Sequence, residues 1–317
     1  MFKRVICLMG PTASGKTALA LDLVSHFPFE IISVDSGMIY RGMDIGTAKP
    51  SLAELAIAPH HLIDIVDPPE AFSAAQFCKE AHGLIRGIVH RGKIPLLVGG
   101  TMMYFNALQK GLSVLPDANE AIRQLLVLRA LESGWSVLHD ELMQVDPVCA
   151  KRIHKHDAQR IQRALEVFYL TQKPLSDLQR QVVGKGDYEF INLILFPENR
   201  AWLHQRIASR FALMLKQGFI TEVEQVLQRW PLTLASPALR CVGYRQAYNY
   251  LNGDGDYEAF CEKALAATRQ LAKRQLTWLR HWSNAYRIDF RGVEGTSTKI
   301  MAIIQEILDN KSPDVSC

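Results

Sequence analysis

The chain has no C-x-x-C pair. Its six cysteines (Cys7, Cys78, Cys149, Cys241, Cys261 and Cys317) are scattered, which argues against a disulfide framework or a zinc ribbon and fits a reducing cytoplasm. It also lacks any apolar run near the ~18–20 residues that a membrane span needs, so no membrane attachment is expected. Only five consecutive apolar residues, 5–9, stand before Gly10. A signal peptide needs an apolar stretch of about 7–15, so the segment reads as a first buried strand, and the expected address is cytoplasmic. There is no internal repeat and no low-complexity segment. Neither sign of charge dominates: 36 basic residues face 32 acidic ones, a net charge of +4, which permits a polyanionic partner without demanding one. With 48% apolar and 21% charged residues, global disorder is excluded. The 317 residues exceed one minimal domain of roughly 100–200, so two domains or a core with an insertion are expected.

The first hundred residues alternate strand and helix signals. Short β-branched or apolar runs lie at 5–9, 31–35, 62–66 and 94–98. Helical patterns fall between them at 18–27 and 73–90. Continuous apolar strands separated by helices imply a parallel sheet covered on both faces. From 117 to 180 the pattern is helical with no convincing strand. Residues 191–196 supply one more strand, and helical stretches follow at 202–229, 244–251 and 257–281. The expected architecture is an α/β fold: a parallel-sheet core of residues 1–116 and 181–317, containing a phosphate loop and closing with C-terminal helices, plus a helical insertion at 117–180. A frayed tail is expected over 310–317.

Gly10-Pro11-Thr12-Ala13-Ser14-Gly15-Lys16-Thr17 matches G-x-x-x-x-G-K-[ST] in full, between a strand and a helix. The glycines let the loop turn backbone N–H groups toward phosphate oxygens, and the following helix points its positive end at them. Lys16 adds a mobile charge, and the Thr17 hydroxyl is a candidate Mg²⁺ ligand. The loop does not name the reaction. The strand at 94–98 carries no hydrolytic acid at its end, where Gly99-Gly100-Thr101 stands instead. The acid is Asp35, after the strand at 31–35. Parallel strands present their C-terminal ends along one edge. Asp35 and Thr101 are therefore expected beside the bound phosphates, with Asp35 able to hold Mg²⁺ or accept a proton. A small-molecule kinase would share this loop and core.

What sets the chain apart from such a kinase is its basic burden. Residues 151–163 carry five basic side chains against Asp157, with Gln159, Arg160, Gln162 and Arg163 able to meet phosphates and base edges. A second basic stretch runs through Lys263, Arg269, Lys273, Arg274 and Arg280. Between them, Arg240-Cys241-Val242-Gly243-Tyr244-Arg245-Gln246 sets a tyrosine between arginines, a pattern suited to stacking on an unpaired base. Trp278 and Trp282, one turn apart, read equally well as core.

With these segments in place the chain resembles the tRNA dimethylallyltransferases, in the bacterial form without a C-terminal zinc finger. The resemblance runs from Gly10 to about Trp282. Its most specific blocks are residues 40–50 (Tyr-Arg-Gly-Met-Asp-Ile-Gly-Thr-Ala-Lys-Pro) and Gly243-Tyr244-Arg245-Gln246. Others are Ser33-Val34-Asp35-Ser36, Leu97-Val98-Gly99-Gly100-Thr101, Asp157-Ala158-Gln159-Arg160 and residues 268–275. The resemblance implies transfer of a dimethylallyl group from dimethylallyl diphosphate to N6 of adenosine 37, just 3′ of the tRNA anticodon. Inorganic diphosphate leaves and Mg²⁺ assists. Separately from the resemblance, a monomer is expected, although the sequence itself does not fix the oligomeric state. Gly10, Pro11, Thr12, Ala13, Ser14, Gly15, Lys16 and Thr17 would hold the diphosphate rather than ATP. Asp35 would be the general base and Thr101 would bond the target base. Lys16 and Arg210, the latter preferred over Arg206, would stabilise the leaving group. Asp35, Ser36, Gly37, Met38 and Thr101 would touch tRNA. So would Arg123 and Gln159, Arg160, Ile161, Gln162 and Arg163 in the insertion that grips the anticodon stem-loop. Arg240, Cys241, Val242, Gly243, Tyr244 and Arg245 would complete the contact.

Overall fold

The computed structural model describes residues 4–180, 182–183, 188–197, 199–290 and 293–309. In chain order these form β1 (Arg4–Met9), α1 (Lys16–His26), β2 (Phe29–Val34), α2 (Leu52–Ile57), β3 (His60–His61), α3 (Ala74–His90), β4 (Ile94–Gly99) and α4 (Met102–Lys110). A short β5 (Leu112–Ser113) leads to α5 (Glu120–Ser133), α6 (Trp135–Val145), α7 (Pro147–Ala150), α8 (Ala158–Thr171), α9 (Leu175–Leu178) and β6 (Val182–Val183). The chain ends in β7 (Glu189–Leu195), α10 (Arg200–Lys216), α11 (Phe219–Arg229), α12 (Tyr244–Leu251), α13 (Tyr257–Arg280), β8 (Ala285–Ile288) and α14 (Val293–Asp309). The expected frayed tail lies outside the described residues.

Two compact units result: Met1–Asn106 with Asp187–Cys317, and Ala107–Gly186. The first contains a six-stranded sheet in the order β3-β2-β4-β1-β7-β8, with every neighbouring pair parallel. Its central strand β1 has no exposed residue between Val5 and Met9, because helices cover both faces. One face packs on α1 and α14, with Leu19 and Leu23 meeting the layer that holds Ile300 and Ile304. On α3 the period-3.6 stripe Phe77, Ala81, Ile85 and Ile88 is buried, and a capping box at Ser73 and Gln76 starts the helix. No described helix is long and apolar enough to cross a membrane.

The elements differ from the sequence reading in several places, α2 and α4 among the helices it did not anticipate. The run at 62–66 is not a strand: Leu62 and Asp64 take left-handed backbone, φ 63° and 54°. The third strand is His60–His61, and Val66 makes only an isolated bridge to Tyr40. The helical stretch 202–229 breaks after Lys216, where Gly218 adopts φ 92° before α11. Finally, β8 and α14 extend the sheet and its cover beyond the last helix anticipated.

The second unit is a helical cluster around Leu126, Leu138, Leu142, Ile161 and Leu165. It encloses Glu166, which is fully buried. Arg123 meets one carboxylate oxygen at 2.9 Å and Arg163 the other at 2.7 Å, while the N–H of Asn119 donates at 2.8 Å. A buried carboxylate is tolerated only when its lone pairs are taken in this way.

A comparable device closes the first unit. Glu222 on α11 accepts the backbone N–H groups of Asp44 (2.8 Å), Ile45 (2.6 Å) and Gly46 (3.1 Å), and the Tyr244 hydroxyl at 2.6 Å. Lys49, nearly buried, bridges Asp44 and Asp64, each at 2.5 Å. The family-specific block at 40–50 is thus a loop folded around one carboxylate. Glu222→Ala strips three backbone donors of their partner and is expected to cost about 3–5 kcal/mol of unfolding free energy. Denaturant titration measures this; a midpoint equal to that of the parent would contradict it.

Candidate active site

The site begins where β1 runs into the phosphate loop. Ala13 (φ 63°) and Gly15 (φ 86°) reverse the backbone, and a Cβ on Gly15 would lie 2.4 Å from the Phe290 ring. The loop therefore rests on an aromatic floor. α1 starts at Lys16 with no side-chain cap and no acid in its first turn, which leaves its orphan N–H groups available to an anion. The Lys16 amine donates to the carbonyls of Gly10 (2.9 Å) and Pro11 (2.7 Å). Although the residue keeps some surface exposure, its amine is enclosed by the loop. Burial brings its pKa down to about 7, with Asp35 opposing the fall and Arg210 adding to it.

Two arginines from α10 press on the same loop. Arg210 donates to the Thr12 hydroxyl at 2.5 Å, and Arg206 donates to the Ala13 carbonyl at 2.8 Å. The Arg206 guanidinium also sits 4.9 Å from the centre of the Trp202 ring. Burial lowers the pKa of Arg210; the Asp35 carboxylate works against that, and Arg206 reinforces it. The preference for Arg210 over Arg206 is therefore too narrow, since both reach the loop.

Asp35 and Thr101 follow the adjacent strands β2 and β4, paired in register through Val34 and Gly99. Asp35 Oδ1 accepts the N–H groups of Gly37 (2.8 Å) and Met38 (3.4 Å). The Thr101 hydroxyl accepts the N–H of Ser36 at 3.0 Å and donates to the Ser36 hydroxyl at 3.2 Å. The two chemical groups are thus tied to one turn. Around it stand weak acids held protonated. Burial pushes Tyr40 and Cys241 each up to about 12 and raises Tyr104 further, with Asp35 adding to the rise at Cys241 and Tyr104.

Several expected tRNA contacts are placed otherwise. Tyr244 is 1% exposed, packs edge-to-face on Phe219 and spends its hydroxyl on Glu222. Its ring has no free face for a base, which corrects the stacking expectation. Gly243 beside it is buried too. Ile161 lies in the helical core, fully buried. Arg123 and Arg163 hold Glu166, and Gln162 bonds the Arg123 carbonyl at 3.0 Å. Exposed positions remain at Gln159, Arg160, Ser36, Arg240 and Arg245, with Met38, Cys241 and Val242 partly so. On the first unit, Arg200, His204, Arg269, Lys273 and Arg280 line a groove of about 220 Å³ between α10 and α13. Trp278 stands 46% exposed beside it, so the core reading of that tryptophan does not hold. Sequence reasoning missed Gln275, Phe290 and Glu222. Only the buried face of α13 (Ala272, Gln275, Leu276, Leu279) signals the first.

No group of three or more metal-ligating side chains occurs among the described residues. Mg²⁺ is commonly held by one or two protein oxygens plus substrate phosphates. Thr17 in the first turn of α1 and Asp35 on the same edge of the sheet fit such a donor set.

A parallel sheet, a phosphate loop after β1 met by Lys16, Arg206 and Arg210, and a carboxylate after β2, two strands away, define a P-loop-type α/β protein. Residues 38–282 match the family model described as IPP transferase. A curated tRNA dimethylallyltransferase of Legionella pneumophila (strain Corby) is 63% identical over 310 residues, 98% of this chain and 99% of the relative. Among solved structures, a full-length tRNA isopentenylpyrophosphate transferase from Bacillus halodurans aligns with TM-score 0.72 and 34% identity over 97% of each chain. A eukaryotic dimethylallyltransferase acting on tRNA aligns with TM-score 0.80 and 27% identity, over 98% of this chain and 80% of that one. The chain belongs to the IPP transferase family.

The pKa of Lys16 has a consequence for stability. Between pH about 7 and 10.5 the unfolded chain holds a proton at this residue that the native chain lacks. The penalty is therefore complete below about 7 and fades as pH rises toward 10.5. Lys16→Met should melt higher than the parent at pH 7, with the gap closing by pH 10. Thermal midpoints recorded across that range test this; two parallel curves would refute it.

Proposed function

We propose that the chain transfers a dimethylallyl group from dimethylallyl diphosphate to N6 of adenosine 37 in tRNA. The observation carrying this reading is the joint one. A relative named tRNA dimethylallyltransferase matches nearly the whole chain at 63% identity, and the site sets Asp35 and Thr101 on the strand end beside a cation-rich phosphate loop.

The chemistry suits these residues. An exocyclic adenine amine is a poor nucleophile, because its lone pair is delocalised into the ring. It needs a carbon electrophile with a good leaving group, and an allylic diphosphate supplies one. The N6 lone pair forms the new bond to the terminal allylic carbon. The carbon–oxygen bond breaks, and its electron pair leaves with the diphosphate. Lys16, Arg206, Arg210 and the N–H groups opening α1 hold the charge that accumulates there. Asp35 takes the N6 proton, with the Gly37 and Met38 N–H groups keeping its carboxylate oriented. Thr101, now bonded to Ser36, is placed to orient the target base, which must first leave its stack. With Asp35 acting as the base, Thr17 would hold Mg²⁺ together with the phosphate oxygens, and its contribution when bound is to neutralise the diphosphate. Gln159 and Arg160 on the helical unit would meet the anticodon stem-loop, as would Arg240, Arg245 and the groove by Trp278 on the other.

Mass spectrometry of tRNA incubated with the protein, Mg²⁺ and dimethylallyl diphosphate tests the reading. One prenyl unit gained on a single anticodon-loop adenosine is the expected result. Rapid consumption of a nucleoside triphosphate with RNA left untouched would replace it by a kinase. Asp35→Asn keeps an acceptor for the Gly37 and Met38 N–H groups but removes the base. It should lower kcat by about 10²–10⁴ while tRNA affinity, read by filter binding, stays within a few-fold. A kcat near that of the parent would take Asp35 out of the base role.

A further inference from the structure

One buried carboxamide joins the two loops that the reaction must hold in register. Gln275, on the inward face of α13, is 9% exposed. Its Oε1 accepts the N–H of Thr12 at 2.9 Å, and its Nε2 donates to the carbonyl of Gly100 at 2.9 Å. Thr12 belongs to the phosphate loop, and Gly100 directly precedes Thr101. The orientation of the amide is determined by these partners: turned over, it would set its NH₂ against an N–H and its oxygen against a carbonyl. The approach is close as well, since a Cβ on Gly100 would lie 2.5 Å from Nε2. From the other side Arg210 grips the Thr12 hydroxyl.

We propose that Gln275 is a positioning residue for prenyl transfer, setting the spacing between the loop that holds the donor's diphosphate and the strand end that presents the acceptor amine; this rests on the function proposed above. Strand pairing fixes β1 against β4 as far as Met9 and Gly99, where both strands end. Beyond that point the loops need another link, and Gln275 provides it on both sides at once. Displacement at carbon requires the reacting atoms roughly 3–3.5 Å apart and aligned, and an error of about 1 Å can cost about 10²-fold. Gln275 also engages the Thr12 N–H, which removes that donor from those the loop can offer an anion. A purely structural residue would lower the melting point and leave the constants of the folded enzyme alone; a spacer changes those constants.

The test compares the full-length parent with Gln275→Met, which preserves shape but neither hydrogen bond, and Gln275→Glu, which keeps an acceptor for Thr12 and loses the donor to Gly100. Single-turnover rates at saturating dimethylallyl diphosphate and tRNA are measured with melting points and tRNA affinity. The expected result is a folded Gln275→Met enzyme at least about tenfold slower, with tRNA affinity within about twofold and Gln275→Glu in between. A Gln275→Met enzyme that folds and turns over at the parental rate overturns the proposal. If that variant does not fold, Gln275→Glu decides by the same criterion, and failure of both to fold assigns the residue a structural role and overturns it too. A parent that prenylates no tRNA removes the functional reading itself, and this inference with it.

Discussion

The carboxyl edge of the sheet depends on side-chain oxygens that claim loop N–H groups where strand pairing has stopped. A backbone donor left dry costs as much as a lost hydrogen bond, and sheet hydrogen bonding ends at Met9, Val34 and Gly99. Past those residues Gln275 takes Thr12, Asp35 takes Gly37 and Met38, Thr101 takes Ser36, and Glu222 takes three donors in succession. Among the described residues no buried side-chain nitrogen or oxygen lacks a partner. The reactive groups are therefore components of the loop scaffold as well as occupants of it.

The electrostatics of the edge follow from that scaffold. Three cations, Lys16, Arg206 and Arg210, converge on the loop at residues 10–13, and Asp35 is the carboxylate whose field acts on both Lys16 and Arg210. Burial makes the charges of Lys16 and Arg210 expensive, which is why Lys16 falls to about 7 and Arg210 falls too. A diphosphate reverses that balance, since it supplies the counter-charge the cations lack. The same crowding that weakens the fold near neutrality is what the leaving group of the proposed reaction would exploit.

Long elements with one clear period were legible in the sequence. The apolar runs of β1, β2, β4 and β7 and the stripe on α3 needed no tertiary information, and the phosphate loop announced itself by spacing. Three things were not legible. β3 is two residues long, and its neighbours Leu62 and Asp64 take left-handed backbone that an apolar run does not advertise. β8 is an edge strand whose Tyr286 and Arg287 face solvent, so it has no apolar signature. Gln275 sits in a helix rich in Arg, Lys and Gln, where one more amide reads as surface; only its depth, known once the helix is docked, shows it as a bridge.

Specificity of a motif and contact with substrate are separate properties, and the block Gly243-Tyr244-Arg245-Gln246 shows why. It is among the most diagnostic segments of the chain, yet Tyr244 is buried and bonded to Glu222, while Gln246 reaches back to the Gly243 N–H at 2.8 Å. Gly243 and Tyr244 are constrained by partners distant in sequence: Phe219 and Glu222 on α11, and through Glu222 the loop at 44–46. A residue that must satisfy several buried neighbours tolerates less change than one that meets a phosphate through a long, solvated side chain, where any cation serves. The arginines on either side of the tyrosine, Arg240 and Arg245, are exposed and free to make such a contact. The motif thus combines an internal buckle with an external grip. The buckle holds the 40–50 block, whose Arg41 N–H donates to Val66, while the carbonyls of Met38 and Ile39 just before it accept from residues 64–66, directly after the turn that carries Asp35. The turn of the candidate base is in this way joined, through the 40–50 block and Glu222, to a buried tyrosine.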